Sequence, residues 1–121
     1  MNTKTKEQFQ NFYNFNFRCE QSQKIREKNK DKIPVILHRL NYVSANPEID
    51  KKRYLVHKDE LLGNFLQIVK KKLFLKSHEA LFLFINNKIP KMTSQMLEIY
   101  EKECDNDGFL YLDYSIEEVF G

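Results

Sequence analysis

Covalent chemistry in this chain would have to rest on two cysteines, Cys19 and Cys104, and three histidines, His38, His57 and His78. A cysteine nucleophile needs a base within hydrogen-bond reach, and zinc needs ligands grouped at short spacings. No histidine or second cysteine lies near either cysteine in sequence, so no local catalytic or metal motif is present. A pairing created only by folding stays open at this level. The wide separation of the cysteines argues against a disulfide framework and fits a reducing compartment. Three glycines in 121 residues make no phosphate-cradling loop. The carboxylates are scattered, as helix caps and a solvated surface are. The residues therefore point to recognition, with no catalytic residue, cofactor or metal expected.

Recognition chemistry is concentrated in Asp50-Lys51-Lys52-Arg53-Tyr54-Leu55-Val56, a cationic run that turns into a short β-prone segment. Alternation places Arg53 and Leu55 on one face and Tyr54 and Val56 on the other. A short strand with a charged entrance reads as a sheet edge, where lysines guard against aggregation. Such an edge can also take up an extended peptide as an added strand.

These residues must be positioned by the rest of the chain, whose length suits one domain. Hydrophobic residues make up 41%, with ten Phe and six Tyr, enough for a packed core. No apolar run approaches the roughly 18 residues of a membrane span, and no signal core follows the N-terminus. The expectation is a soluble, cytoplasmic protein. The net charge of +3 divides unevenly: residues 1–91 hold 19 Lys/Arg against 9 Asp/Glu, and residues 92–121 hold 1 against 8. A basic surface suits acidic partners. Nucleic acid is not expected, because no RNA-recognition signature appears and most aromatics fall at core spacing.

In chain order, Phe9, Phe12 and Tyr13 mark a helix over 6–14, and Glu20–Lys30 reads as a second helix, polar except for Ile25. Ile33–Leu37 is a strand, with Pro34 tolerable near its start. Asn41–Pro47 is a loop, and Arg53–Val56 pairs back antiparallel. Asp59 should cap a helix running to Lys72 with Leu62, Phe65, Leu66, Val69 and Leu73 inward. Leu81–Ile85 reads as a fully buried strand, Asn86-Asn87 as a turn, and Thr93 or Ser94 as the cap of a last helix with Met96, Leu97 and Tyr100 inward. After the turn Asp105–Gly108, strand Phe109–Tyr114 closes the fold. The order α-α-β-β-α-β-α-β is that of an α+β ubiquitin-like β-grasp, a four-stranded mixed sheet with two helices added in front. The expected division is a helical extension over 1–30, the β-grasp core over 31–114 and a flexible tail over 115–121.

With the elements placed, the chain resembles the autophagy-related ubiquitin-like modifiers of the GABA-receptor-associated protein and microtubule-associated light-chain type. The resemblance is carried by Lys24-Ile25-Arg26, Ile33-Pro34-Val35-Ile36 and the run Glu48–Val56. Further on come Gly63-x-Phe65, Phe82–Asn87, Ile89-Pro90, Asp107–Tyr111, Tyr114-Ser115 and Gly121. It spans about residues 15–121. It implies a monomeric modifier rather than an enzyme, joined through Gly121 to phosphatidylethanolamine by ubiquitin-like activating and conjugating enzymes. A processing and delipidating cysteine protease is also implied, with Lys70 at its contact and at that of the conjugation enzymes. The implied setting is cytoplasmic, and autophagosomal or vacuolar membrane once lipidated. The closest rival is a non-conjugated scaffold or a microtubule or trafficking adaptor of the same fold.

The resemblance further implies binding of cargo receptors and autophagy kinases through aromatic-x-x-aliphatic motifs. The first pocket maps to Gln21, Ile25, Pro34, Ile36, Arg53, Leu55 and Phe109. The second maps to Tyr54, Val56, His57, Glu60, Phe65, Ile68 and Val69. Lys51 and Arg53 would meet an acidic flank. Four positions depart from the family pattern: Gln21 replaces an acid, His57 a proline, Glu60 an apolar residue and Lys70 an arginine. A carboxylate beside an apolar pocket costs desolvation, so Glu60→Leu is expected to tighten binding of peptides ending in Leu or Ile.

Overall fold

The computed structural model describes residues 13–40 and 53–119. Helix α1 (Phe15–Lys28) precedes strand β1 (Lys32–Arg39) and strand β2 (Arg53–His57). Helix α2 (Leu62–Leu73), strand β3 (Glu79–Phe84), helix α3 (Met96–Glu103) and strand β4 (Leu110–Glu118) follow. The strands form one four-stranded sheet in the order β2-β1-β4-β3. The central pair β1–β4 is parallel and both outer pairs are antiparallel. This is the mixed sheet of a ubiquitin-like β-grasp. The expected helix over 6–14 and the loop Asn41–Pro47 lie outside the described residues, apart from Tyr13 and Asn14.

The alternation of β4 divides the interior in two. Leu110, Leu112 and Tyr114 face the main core with Ile33, Val35 and Leu37 of β1 and with Leu62, Phe65 and Val69 of α2. The opposite face of the sheet carries a smaller cluster, Ile36, Phe109 and Tyr111, which Ile25 of α1 covers. α2 buries the face its apolar spacing anticipates, and its fourth turn ends in left-handed Phe74.

Several features differ from the sequence reading. α1 begins at Phe15 rather than Glu20, because the Asn14 side chain accepts the Phe17 N–H at 2.8 Å and caps the helix there. Neither Asp59 nor Thr93 nor Ser94 caps a helix. Instead the two helix starts bind each other's approach loops: Leu62 N–H donates to Ser94 O and Gly63 N–H to Met92 O, while Met96 N–H donates to Glu60 O and Leu97 N–H to Lys58 O. β3 is outermost rather than fully buried, so Phe82 is exposed. β4 runs on to Glu118 because β3 supplies a partner for every residue from Asp113 onward. Ser115 is accordingly buried, and the stretch expected to be a tail from residue 115 is strand as far as Glu118.

α1 is docked by polar contacts rather than by an apolar stripe. Its buried residues are Arg18 and Ser22, one turn apart. Arg18 Nε donates to Asp107 Oδ2 at 3.0 Å, and Ser22 Oγ donates to the Asp107 carbonyl. The Asp107 carboxylate also accepts the Phe109 N–H at 2.9 Å and the Tyr111 hydroxyl. Gly108 sits at φ +94°, and a Cβ there would lie 2.3 Å from Ser22 Oγ. Both backbone angle and space demand glycine.

Gly108→Ala should therefore loosen α1 from the sheet, lowering the unfolding free energy by about 1–3 kcal/mol, the scale of a strained backbone position. Denaturant melts give the magnitude, and hydrogen exchange should show α1 amides losing protection before those of β1 and β4. Uniform loss across helix and sheet would show that this turn is not the docking joint.

Candidate functional site: a cation-rimmed groove beside an outer strand

The residues that could have done covalent chemistry fall on different elements. His57 Nδ1 lies 3.5 Å from Asp31 Oδ2 on the surface. His38 lies opposite Asp113 in the β1–β4 register. His78 is exposed in the turn before β3. Cys19 sits in α1, and Cys104 is the residue that ends α3. Burial pushes the Cys104 thiol above its ordinary range, partly offset by Arg26. Tyr100 is likewise raised, mainly by burial, and its hydroxyl donates to Gly108 O at 2.6 Å. Among the described residues no cluster of His, Cys, Asp and Glu could hold a metal ion.

A groove of about 650 Å³ lies where α1, β1, β2 and α2 meet. Pro34 and Phe109 make a buried apolar floor. α1 supplies one wall with Gln21, Lys24, Ile25 and Lys28, all within two turns. β2 supplies Arg53, Tyr54 and Leu55, and α2 supplies Ile68 and Lys72. Leu55 and Ile68 are apolar yet 46% and 45% exposed, so the groove keeps a solvated apolar lip. Lys24, Lys28, Arg53 and Lys72 give that lip four cations. β2 is the outermost strand on this side.

Six residues of the expected first pocket line the groove: Gln21, Ile25, Pro34, Arg53, Leu55 and Phe109. The seventh, Ile36, is 4% exposed and lies in the small cluster beneath the floor, where it supports Phe109. Of the expected second pocket, Tyr54 and Ile68 open onto the same groove. Val56, Phe65 and Val69 belong to the main core instead, with Tyr54 edge-on to Phe65 at 5.4 Å. Their helical or strand spacing marks them equally as core, and burial decides for core. His57 turns to Asp31, and the Glu60 carboxylate accepts the Asn64 amide N–H at 2.7 Å on the surface. Glu60 therefore does not charge the groove, which removes the reason for expecting Glu60→Leu to tighten binding. Lys70 lies with Lys71, Phe74 and Lys76 at the far end of α2. Lys51 and Gly121 lie outside the described residues.

Sequence reading passed over Lys24, Lys28 and Lys72 as groove residues. Their signal was their spacing: Gln21, Lys24, Ile25 and Lys28 recur every three or four residues, and Lys72 follows Ile68 by four.

A four-stranded mixed sheet in the order β2-β1-β4-β3, with α2 packed on one face, is the fold of a ubiquitin-like protein. Comparison with known proteins narrows the class. Residues 17–121 match the family model for the autophagy protein Atg8, ubiquitin-like. Autophagy-related protein 8A of rice (Oryza sativa subsp. indica) is 45% identical over 104 residues, covering 86% of this chain and 87% of the relative. The crystal structure of Trypanosoma brucei ATG8 superimposes with a TM-score of 0.78 at 36% identity, covering 90% of this chain and 93% of that one. Plasmodium falciparum Atg8, solved in complex with a Plasmodium falciparum Atg3 peptide, gives a TM-score of 0.79 at 34% identity, with coverage of 88% and 94%. The chain belongs to the Atg8 family of ubiquitin-like autophagy proteins.

A thiol held above its usual range is mostly protonated at neutral pH, and the thiolate is the reactive form. Native Cys104 should therefore react with iodoacetamide more slowly at pH 7 than the same residue in the urea-unfolded chain, and the gap should close as pH rises. Equal rates at pH 7, followed by peptide mass mapping, would contradict the burial argument.

Proposed function

We propose that this chain is a modifier joined through the Gly121 carboxylate to phosphatidylethanolamine, and that its groove recruits receptors bearing aromatic-x-x-aliphatic motifs. The observation that carries the reading is the groove itself: an apolar floor, a cationic lip and an outermost strand alongside. A peptide laid against β2 would gain main-chain hydrogen bonds independent of its sequence, while side chains entering the groove would select it. The aromatic residue would rest on Ile25, Leu55 and Phe109, and the aliphatic one would approach Tyr54 and Ile68. An acidic flank would meet the cations, mainly raising the association rate and its salt sensitivity. The Atg3 peptide bound by the Plasmodium relative supports the idea that a conjugating enzyme is among the partners.

Conjugation has a steric logic at glycine, whose missing Cβ lets backbone pass through narrow enzyme channels. The family match runs through Gly121. In this reading the carboxylate attacks ATP and releases pyrophosphate to give an acyl-adenylate, a partner-enzyme cysteine displaces AMP to give a thioester, and the lipid amine displaces that thiol to give the amide. A processing and delipidating protease would meet the protein near Lys70. No helix among the described residues is long and apolar enough to cross a membrane. Two acyl chains, at about 0.8 kcal/mol per buried CH₂, would anchor firmly where a single chain binds marginally. Autophagosomal and vacuolar membranes would be the destination.

Leu55→Ala should weaken an acidic-flanked Trp-x-x-Leu peptide by roughly 1–3 kcal/mol, the range for a packed anchor, whereas Glu60→Leu should leave affinity unchanged. Calorimetry showing no effect at Leu55 would remove the groove from the reading. Deleting Gly121 should preserve the fold and peptide affinity while abolishing the lipid adduct in a reconstitution with ATP and the conjugating enzymes. An adduct on the truncated protein, by intact mass, would exclude Gly121 as the attachment point. A missing adduct on the full-length chain would favour a non-conjugated adaptor.

A further inference from the structure

The end of α2 carries an apolar feature that the groove does not use. Phe74 is 87% exposed, more than any other large hydrophobic side chain among the described residues. Its position is fixed: backbone at φ 52° and ψ 51° ends the helix, and its N–H donates to Lys71 O. Helices usually give this left-handed position to glycine. Here an aromatic ring occupies it, with Lys70, Lys71 and Lys76 around it. The helix dipole accounts for lysines at a helix C-terminus. It does not account for the ring.

The place of this loop supplies the second observation. Glu79 lies opposite Glu118 in the β3–β4 register. Val119 N–H donates to His78 O at 2.7 Å, and Glu79 N–H donates to Lys76 O at 3.0 Å. β4 therefore ends beside the loop that carries Phe74, and Gly121 follows Val119 by two residues in the sequence.

We propose that this loop is a second membrane contact, with Phe74 entering the interfacial layer of an anionic bilayer and Lys70, Lys71 and Lys76 meeting its headgroups. The proposal rests on the reading that the tail is joined to a lipid. The ring borders only a shallow, open depression with Leu75 and the lysines, and at 87% exposure it is still free to enter a bilayer. Phe, like Trp and Leu, buries at the boundary between headgroups and acyl chains, and neighbouring basic residues attract anionic lipid. Glu79, Glu117 and Glu118 offset part of the lysine charge, so the loop adsorbs weakly by itself. A tether at the adjacent tail makes the second contact intramolecular and raises its effective concentration. The anchored protein then holds one orientation instead of swinging on its tail.

The chain contains no Trp, so Phe74→Trp installs a lone fluorescent reporter at the contact. Full-length protein with a polyhistidine tag after Gly121 is held on vesicles of phosphatidylcholine, phosphatidylserine and a nickel-chelating lipid. Trp emission should shift to the blue and be quenched by lipids brominated in their acyl chains. Both effects should disappear without phosphatidylserine, and also when Lys70, Lys71 and Lys76 are replaced by Glu. Unchanged emission on the anionic vesicles overturns the proposal, as does an equal shift on vesicles lacking phosphatidylserine. A blue shift caused by an acidic peptide in solution but not by vesicles overturns it too, and assigns the loop to a protein partner. The tether needs no conjugating enzyme, so a failure here is separate from a failure of lipidation.

Discussion

A carboxylate in a protein interior is costly unless cations and donors surround it, and the placement of α1 follows from how this cost is met at Asp107. Its side chain is fully buried and holds the Arg18 guanidinium, the Phe109 N–H and the Tyr111 hydroxyl. Only the first of these comes from α1. Without the helix, the acid would keep two neutral donors and lose its one counter-charge. A well-packed apolar pair would serve stability as well or better. What the ionic contact adds is position, because a guanidinium meets a carboxylate in few geometries and an apolar stripe can slide. One wall of the groove therefore stands where Arg18 and Ser22 put it.

The same turn sets the floor. Asp107 fixes the backbone of Phe109 at the moment the chain enters β4, and Gly108 lets Ser22 come within contact of the turn. Phe109 then faces the α1 side while Leu110 faces α2. One alternation thus serves both the core and the groove. This explains why Ile36 supports rather than lines the site: it lies opposite Tyr111 in the register and is covered from above.

How much of this was legible depends on whether the cause was local. The β1 and β2 segments, the inward face of α2 and the Asn86-Asn87 turn came from pattern alone, and both asparagines take positive φ as that turn demands. The docking of α1 was invisible to hydrophobic periodicity because the buried residues are arginine and serine. The starts of α2 and α3 defeated cap chemistry because each is satisfied by the other's approach loop, a contact between residues 29 to 39 positions apart. β4 beyond Tyr114 looked too polar for a strand, yet β3 lay ready to pair with it. For the groove, residues whose exposure follows from strand alternation, Arg53 and Leu55, were readable. Val56, Phe65 and Val69 were ambiguous, since the spacing that could line a pocket also fills a core.

The topology keeps the two proposed uses of the molecule from competing. The groove floor is set at Phe109, just before β4, whereas the route to Gly121 leaves from Val119 at the other end of that strand. Ten residues of extended chain separate these points, up to roughly 30 Å at strand rise. The sheet order also matters: β2 borders the groove on one flank, while the exit of β4 lies against the start of β3 on the other. A lipid attached at the exit would bring the His78 turn and the end of α2 toward the bilayer. Pro34, Leu55 and Phe109, nearer the opposite end of the strands, would remain turned to the receptors. A β4 antiparallel to β1 would finish at the groove end of the sheet and force lipid and peptide to share one surface, and the parallel pairing of β1 with β4 is what prevents it.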